Sequence, residues 1–224
     1  MENNNFNKII CDILESNISG GNICIQSGNN GPYGNDDTLA RNYSHWIGIV
    51  KYYYKISKKS ECLHIMKKLA DNLCDNCTSY GNIKCFNDNE LIETNGLIGQ
   101  AWVIEGLINA YSILKDQKYY NQAVKIFLSQ HFDYKNHLWR VVNCSGKELN
   151  FDYVFNHQLW FAASGYMILN EMNNSIIRKE LDDFSSNIFS LFECYPNGLL
   201  KHLAVVGFDI KYIKSESQKR RGKI

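Results

Sequence analysis

Apolar residues recur along most of the chain at intervals of three and four positions, which is the spacing of one face of an α-helix. Only two prolines interrupt the pattern, at positions 32 and 196, so long helices are expected. The predicted helices span residues 5–16, 38–57, 61–76, 95–114, 119–130, 153–170 and 176–192. After the first helix they form three pairs joined by short turns, and each pair is predicted to be a helical hairpin.

The hairpins are copies of one sequence unit. The first helix of each pair ends with a tyrosine two positions before an isoleucine, at Tyr54, Tyr111 and Tyr166, which are 57 and 55 residues apart. A short polar segment follows each second helix, at 82–86, 136–140 and 197–201, and is typical of a brief strand or hairpin. The sequence therefore predicts a repeat of helix, helix and short strand about 55 residues long.

The two helices of a pair differ in polarity. The first is apolar around much of its circumference, as at 99–111, whereas the second carries many charges, as at 178–183. Because a helix that is apolar on most sides is buried and an amphipathic one faces water, the first helices should form an inner layer. The predicted fold is all-α: a partial (α/α) toroid of three helical hairpins plus an N-terminal helix, with short strands between the hairpins.

This organisation predicts one domain, residues 1–213, followed by a basic tail at 214–224. Three hairpins make an incomplete ring, and an incomplete ring would expose apolar flanks of the inner helices. Three explanations are open: a truncated gene product, a partial toroid that is stable as it stands, or a ring completed by self-association or by a partner.

Charge and hydropathy exclude several classes of partner. Twenty-four basic residues against twenty-three acidic ones leave a formal charge of +1, so nothing attracts nucleic acid or an anionic membrane over the whole surface. The apolar run at 159–169 is shorter than the roughly 20 residues that cross a bilayer. The first five residues lack the basic and apolar regions of a signal peptide, so a cytoplasmic protein is expected.

The eight cysteines are expected to be reduced thiols, because the chain is large enough for its own core. Cys74 and Cys77 have the spacing of two metal ligands, and His64 or Cys85 could join them. No second motif of this spacing follows, so neither a metal nor another cofactor is expected.

Candidate binding residues lie where the inner helices begin. If these helices are parallel, their unpaired N–H groups and the positive ends of their dipoles lie at the same end of the fold. Such an end favours the binding of carboxylates and hydroxyl-rich ligands. The residues in and around the first two turns are Arg41, Asn42, Trp46, Asn95, Gln100, Trp102, Asn156 and Trp160, with Arg140 from the second short strand as a further clamp. Aromatic rings mixed with hydrogen-bonding groups suit a sugar, so the sequence predicts a carbohydrate ligand.

The candidate catalytic residues are Glu105, His157, Asp152 and His45. Aligning the tyrosine endings places His45, Trp102 and His157 at one equivalent position, nine residues before each tyrosine. Glu105 lies inside an apolar helix, where a carboxylate must be paired, protonated or catalytic. Asp152 precedes a helix and could equally be its N-cap. A carboxyl pair would serve hydrolysis and a histidine base would serve epimerisation or elimination, and both sets are present.

Three segments carry a resemblance to a known family: 41–46, 95–105 and 155–163. With the alternating helices, they resemble the six-hairpin glycosidase superfamily, which includes unsaturated glucuronyl hydrolases and N-acylglucosamine 2-epimerases. Within it, they are similar to an uncharacterised branch associated with polysaccharide biosynthesis. The resemblance covers residues 30–202 and implies the fold more specifically than the chemistry, since members of one fold differ in reaction.

Two functional hypotheses follow. The first is a carbohydrate-active protein that acts on an acidic or N-acetylated sugar in cell-surface polysaccharide metabolism, as a hydrolase, lyase or epimerase. The alternative is non-catalytic: a partial toroid that binds a glycan or a protein, or an inactive fragment of a longer enzyme. The half-length ring favours the alternative, and the clustered histidine, tryptophan and amide side chains favour the first.

Overall fold

The computed structural model describes residues 2–19, 22–23, 38–85, 93–192, 194–199 and 201, so the expected tail at 214–224 lies outside it. The protein is mostly helical, with a three-stranded and a two-stranded antiparallel sheet. The helices are α1 (Glu2–Asn17), α2 (Ala40–Ser57), α3 (Glu61–Asp75), α4 (Gly96–Leu114), α5 (Gln117–Ser129), α6 (Phe155–Glu171) and α7 (Ser175–Leu191). The strands are β1 (Ile18–Ser19), β2 (Asn22–Ile23), β3 (His131–Asp133), β4 (Leu138–Val142) and β5 (Glu148–Phe151).

Each helix predicted from the apolar pattern is present, with both ends within three residues of the expected positions. Helices α2 and α4 end alike: Lys58 and Lys115 adopt left-handed conformations and donate their N–H groups to the carbonyls of Tyr54 and Tyr111. The first two tyrosine endings are therefore structurally equivalent, at an offset of 57 residues.

Helices α2, α4 and α6 form a row with α4 in the middle, and α3 and α5 pack behind it. The helices of the row run in the same direction. Along α2 and α4, Arg41 contacts Trp102 near the helix starts, and Lys51 further along α2 donates a hydrogen bond to Asn109 further along α4. Leu97 at the start of α4 donates a hydrogen bond to Asp152 at the start of α6, and Lys115 after the end of α4 pairs with Glu171 at the end of α6.

The central position of α4 explains its composition. It is the one helix among the described residues that is long and apolar enough to cross a membrane, and 72% of its most apolar window is buried inside the protein. Ala101, Val103, Ile104 and Leu107 are fully buried against its neighbours. An apolar circumference is what a helix packed on several sides requires.

The short strands depart in part from the expectation. The segment 136–140 forms most of β4, but β4 lies between β3 and β5 in an antiparallel sheet that the pattern did not predict. Strands β3 and β5 have three and four residues, and β5 alternates exposed and partly buried positions, so neither leaves a strong apolar signal. In the first segment Ile83 forms an isolated bridge with Cys77, and in the third a turn joins Tyr195 to Leu199.

Two buried glutamines tie inner helices to these segments in the same way. The carboxamide of Gln100 bonds the N–H and carbonyl of Ile83, and that of Gln158 bonds the N–H and carbonyl of Trp139. Each also donates to the carbonyl six residues before it, at Thr94 and Asp152. The two glutamines are therefore equivalent, at an offset of 58 residues between α4 and α6.

This offset corrects the alignment made from the tyrosine endings. It makes Trp160 the counterpart of Trp102, whereas His157 is the counterpart of Gly99. Tyr166 belongs to a different face from Tyr111: it is exposed and its hydroxyl meets Ser185 on α7. The third tyrosine therefore resembles the other two in sequence but not in structural position.

Candidate functional site

Trp102 lies at the centre of the candidate site, on the second turn of α4. Its ring is 8% exposed, and two side chains from the start of α2 cover it. The Arg41 guanidinium lies 4.6 Å from the ring centroid, and the His45 ring meets it edge-on at 5.7 Å. Arg41 and His45 are four residues apart and so share one face of α2. The structure thus brings together three of the residues predicted from the sequence.

Glu105 and Trp160 lie on the other flank, where α4 meets α6. Burial raises the pKa of the Glu105 carboxyl, and a hydrogen bond from the Trp160 side chain lowers it in part. Trp160 itself remains 40% exposed. Because Trp102 and Glu105 are three residues apart on α4, the carboxyl lies beside the same helix face as the Trp102 ring.

Asp152 and His157 form a pair at the starts of α4 and α6. The His157 Nδ1 lies 3.0 and 2.9 Å from the two carboxylate oxygens of Asp152. Asp152 is held in turn by the N–H of Leu97, at 3.1 Å, and by that of Val154, at 3.3 Å. The carboxylate therefore lies at the positive end of the α4 dipole, which stabilises its charge.

Gly96 makes this approach of the two helix starts feasible. It has a φ of 62°, and a Cβ at this position would overlap the Asp152 carboxylate. Sequence reasoning missed this residue, although the dipeptide of Asn95 and Gly96 is a common signal for left-handed backbone. Asn95 also adopts a left-handed conformation, with φ 53°, and begins the helix without a side-chain cap.

The Asp152 and His157 pair has the geometry of an oriented base. A carboxylate that accepts a hydrogen bond from the Nδ1–H group fixes the tautomer and leaves Nε2 as the basic nitrogen. The His157 side chain is 22% exposed, against 9% for Asp152, so the imidazole is the more accessible of the two. Asp152 thus positions the histidine as well as bonding the helix starts.

Two predicted binding residues have structural roles instead. Gln100 is fully buried, and its carboxamide is occupied by Ile83 and Thr94. Arg140 lies on β4, where it pairs with Asp133 at 3.0 Å and Glu148 at 3.5 Å. The physical reason is the same for both: a buried or partly buried polar group is stabilised by partners within the protein.

The remaining predicted residues flank the site. Asn42 and Trp46 are half-buried on the first two turns of α2, and Trp46 packs against the hydrophobic core. Asn156 is exposed on α6, one turn before Trp160. Of these, Asn156 has the exposure that a ligand contact needs.

No group of three or more histidine, cysteine or acidic side chains among the described residues could hold a metal ion. Burial raises the pKa of Cys74 to about 11 and that of Cys77 to about 12, so both thiols are weak nucleophiles at neutral pH.

The chain is similar to Archaeal glycosylation protein Q of Haloferax volcanii, with 31% identity over 202 residues. The match covers 86% of this chain but 54% of the relative, so the chain spans about half the length of that protein. No family model matches the chain.

Proposed function

We propose that this chain acts on a sugar during glycan assembly, with the rings of Trp102 and Trp160 in the binding surface and His157 as the base. The observation that carries the proposal is the pairing of His157 with Asp152, through both carboxylate oxygens. The similarity to a protein named for archaeal glycosylation supports a glycan as the class of substrate.

The parallel row of inner helices supports a partial toroid of the six-hairpin glycosidase type as the fold. In such an arrangement the starts of α2, α4 and α6 face a common ligand. Arg41, Trp102 and Asp152 all lie at or near those starts. The proposed substrate is an acidic or N-acetylated sugar, and the proposed location of the protein is the cytoplasm.

The chemistry of the site favours proton transfer over hydrolysis. Hydrolysis of a glycoside commonly uses two carboxyl groups on opposite sides of the scissile bond. Asp152 is already engaged by a histidine and by backbone N–H groups, which leaves Glu105 as the other carboxyl of the site. A histidine base with an oriented tautomer suits removal of a proton next to a carbonyl or carboxylate, as in an epimerase or a lyase.

Glu105 complements this base. The raised pKa of its carboxyl favours the protonated form, which can donate a proton to the substrate. Arg41 and His45 place a cationic and a hydrogen-bonding side chain beside the Trp102 ring, which supports a sugar that carries an acidic group.

Deuterium exchange tests the proposal directly. The wild type is incubated in D2O with glucuronic acid or with N-acetylglucosamine, and NMR follows deuterium entering the carbon next to the carbonyl or carboxylate. His157→Asn should lower the exchange rate about 100-fold or more, because general-base catalysis is lost, while tryptophan fluorescence shows binding nearly unchanged. His64→Asn, which replaces an exposed histidine on α3, is the matched control and should exchange like the wild type.

Exchange at the wild-type rate in His157→Asn would contradict the assignment of the base. A second candidate function is a glycan-binding module without catalysis, which the 40% exposed ring of Trp160 favours. Binding without exchange, weakened by Trp102→Ala, would establish that alternative. A folded wild type that neither binds nor exchanges either sugar would refute both.

A further inference from the structure

Gln158 is a fully buried polar residue next to the proposed base, on the first turn of α6. Its carboxamide accepts a hydrogen bond from the Trp139 N–H at 3.1 Å and donates one to the Trp139 carbonyl at 2.9 Å. It donates another, at 2.8 Å, to the main-chain carbonyl of Asp152. One side chain therefore connects the first turn of α6 to strand β4 and to the residue that pairs with His157.

These hydrogen bonds fix the rotation of the first turn of α6. His157 and Gln158 are adjacent, so their side chains leave the helix about 100° apart. A rotation that carried the imidazole away from Asp152 would also separate the carboxamide from β4. That rotation would leave buried polar groups of the strand unpaired, which is unfavourable.

The side chain and the main chain of Asp152 are held by different partners. The N–H groups of Leu97 and Val154 donate to its carboxylate at 3.1 and 3.3 Å. Gln158 holds the carbonyl of the same residue at the shorter distance of 2.8 Å. The orientation of the carboxylate toward His157 therefore depends on both sets of contacts.

Helix α4 has the same arrangement without a base. Gln100 donates to the main-chain carbonyl six residues before it, at Thr94, as Gln158 does in α6. At the offset of 58 residues, the counterpart of His157 is a glycine and the counterpart of Asp152 is a threonine. The buried glutamine is thus a feature shared by two repeats, and the α6 repeat adds the histidine and the carboxylate to it.

We infer that Gln158 is a positioning residue: it holds the His157 imidazole against Asp152, so that Nδ1 carries the proton and Nε2 remains basic. The inference rests on the proposed function, in which His157 is the base. Gln158 acts through the orientation and tautomer of the histidine and does not itself contact the substrate.

Nitrogen-15 NMR of the histidine rings tests the inference, because it distinguishes a proton on Nδ1 from one on Nε2. Spectra are recorded at pH 9, and the signals that disappear in His157→Asn identify the residue. The wild-type ring should carry its proton on Nδ1. Gln158→Met is similar in size but cannot bond β4 or the Asp152 carbonyl, so the proton should move largely to Nε2.

Gln130→Met is the matched control. Gln130 is also buried, and its carboxamide accepts a hydrogen bond from the N–H of Val142 near the other end of β4. The substitution therefore removes a buried carboxamide from the same strand without touching Asp152 or His157. The control should retain the wild-type signals of the His157 ring.

Deuterium exchange into the sugar gives a second measurement. Gln158→Met should lower kcat about 10-fold or more with KM nearly unchanged, because the base is misoriented while the binding surface is intact. Gln130→Met should exchange at the wild-type rate. A loss of rate in Gln158→Met alone separates positioning of the base from general destabilisation of β4.

Circular dichroism establishes that each variant is folded. If Gln158→Met does not fold, Gln158→Glu replaces it: this side chain keeps the shape and the acceptor but donates at most one hydrogen bond, so both tautomers should be populated. A wild-type His157 protonated on Nε2, unchanged signals in the folded Gln158 variant, or the same change in Gln130→Met would overturn the inference. A change of tautomer in Gln158→Met without exchange in the wild type would refute the proposed function and support the positioning of the ring.

Discussion

At the scale of single residues, Glu180 is a buried acid on α7. It lies on α7 with 8% of its surface exposed, and the Trp139 indole nitrogen donates a hydrogen bond to its carboxylate at 3.1 Å. Burial raises its pKa to about 7, against smaller lowering effects from Trp139 and His131. At neutral pH the carboxyl is therefore divided between its neutral and charged forms.

The raised pKa predicts a stability loss with rising pH. Between about 4.5 and about 7 the unfolded chain ionises this carboxyl while the folded protein retains the proton, so the free energy of unfolding falls as pH rises. Above pH 7 the loss is complete and amounts to about 3 kcal/mol, since one pKa unit corresponds to roughly 1.4 kcal/mol.

Glu180→Gln should remove this loss, because the amide oxygen still accepts from Trp139 and carries no charge. Urea unfolding at pH 4.5 and pH 8 should show the variant near the wild type at the lower pH and more stable at the higher one. Asp182→Asn, at an exposed position of the same helix, controls for a change of net charge. Equal pH dependence in wild type and Glu180→Gln would contradict the assignment.

At the scale of elements, two glycines lie where α2 packs against α4, and they differ in how closely the neighbouring helix approaches them. A Cβ on Gly106 would lie 2.8 Å from the Ser44 Cα, which is backbone and cannot rotate away. A Cβ on Gly48 would lie 3.7 Å from the Asn109 side chain, an ordinary contact distance. The two glycines are in the same interface, but only Gly106 is required by it.

Alanine substitutions separate these roles. Gly106→Ala should destabilise the protein by about 1–3 kcal/mol, because the helices must move apart. Gly48→Ala should be neutral or stabilising by up to about 1 kcal/mol, since alanine favours a helix over glycine. Thermal unfolding followed by far-UV circular dichroism measures both. Equal effects of the two substitutions would show that helix propensity, and not helix spacing, controls this interface.

At the scale of the whole molecule, an aromatic cluster joins the sheet to both helical layers. Trp139 of β4 is fully buried, and its ring contacts Phe127 of α5, Phe161 of α6 and Phe184 of α7. Because one side chain reaches three helices, sheet and helices should unfold together.

Trp139→Ala should destabilise the protein by about 3–5 kcal/mol, the range for loss of a large buried aromatic side chain. Trp160→Ala removes the same side chain from a 40% exposed position and should cost much less. Urea unfolding of each variant gives the comparison. A similar loss in both would mean that Trp160 belongs to the core and is not available to a ligand.

The sequence by itself determined the helices and their grouping. Apolar periodicity identified three hairpins, because period is a local property of the chain. The tyrosine endings related α2 to α4 correctly but misplaced α6 by three residues. It also predicted that Trp102, His45 and Arg41 lie close together, and the three side chains are in contact because parallel helices bring their first turns together.

Tertiary structure alone decided which of the predicted polar residues bond within the protein and which remain exposed. Gln100 and Asn156 are both carboxamides near the start of an inner helix, yet the first is bonded to the backbone of Ile83 and Thr94 and the second is exposed. Similarly, the pairing of Asp152 with the start of α4 depends on contacts 55 residues apart. Hydrogen-bond partners distant in sequence are fixed only when the helices pack, so local pattern determined the elements and packing determined the roles of their polar side chains.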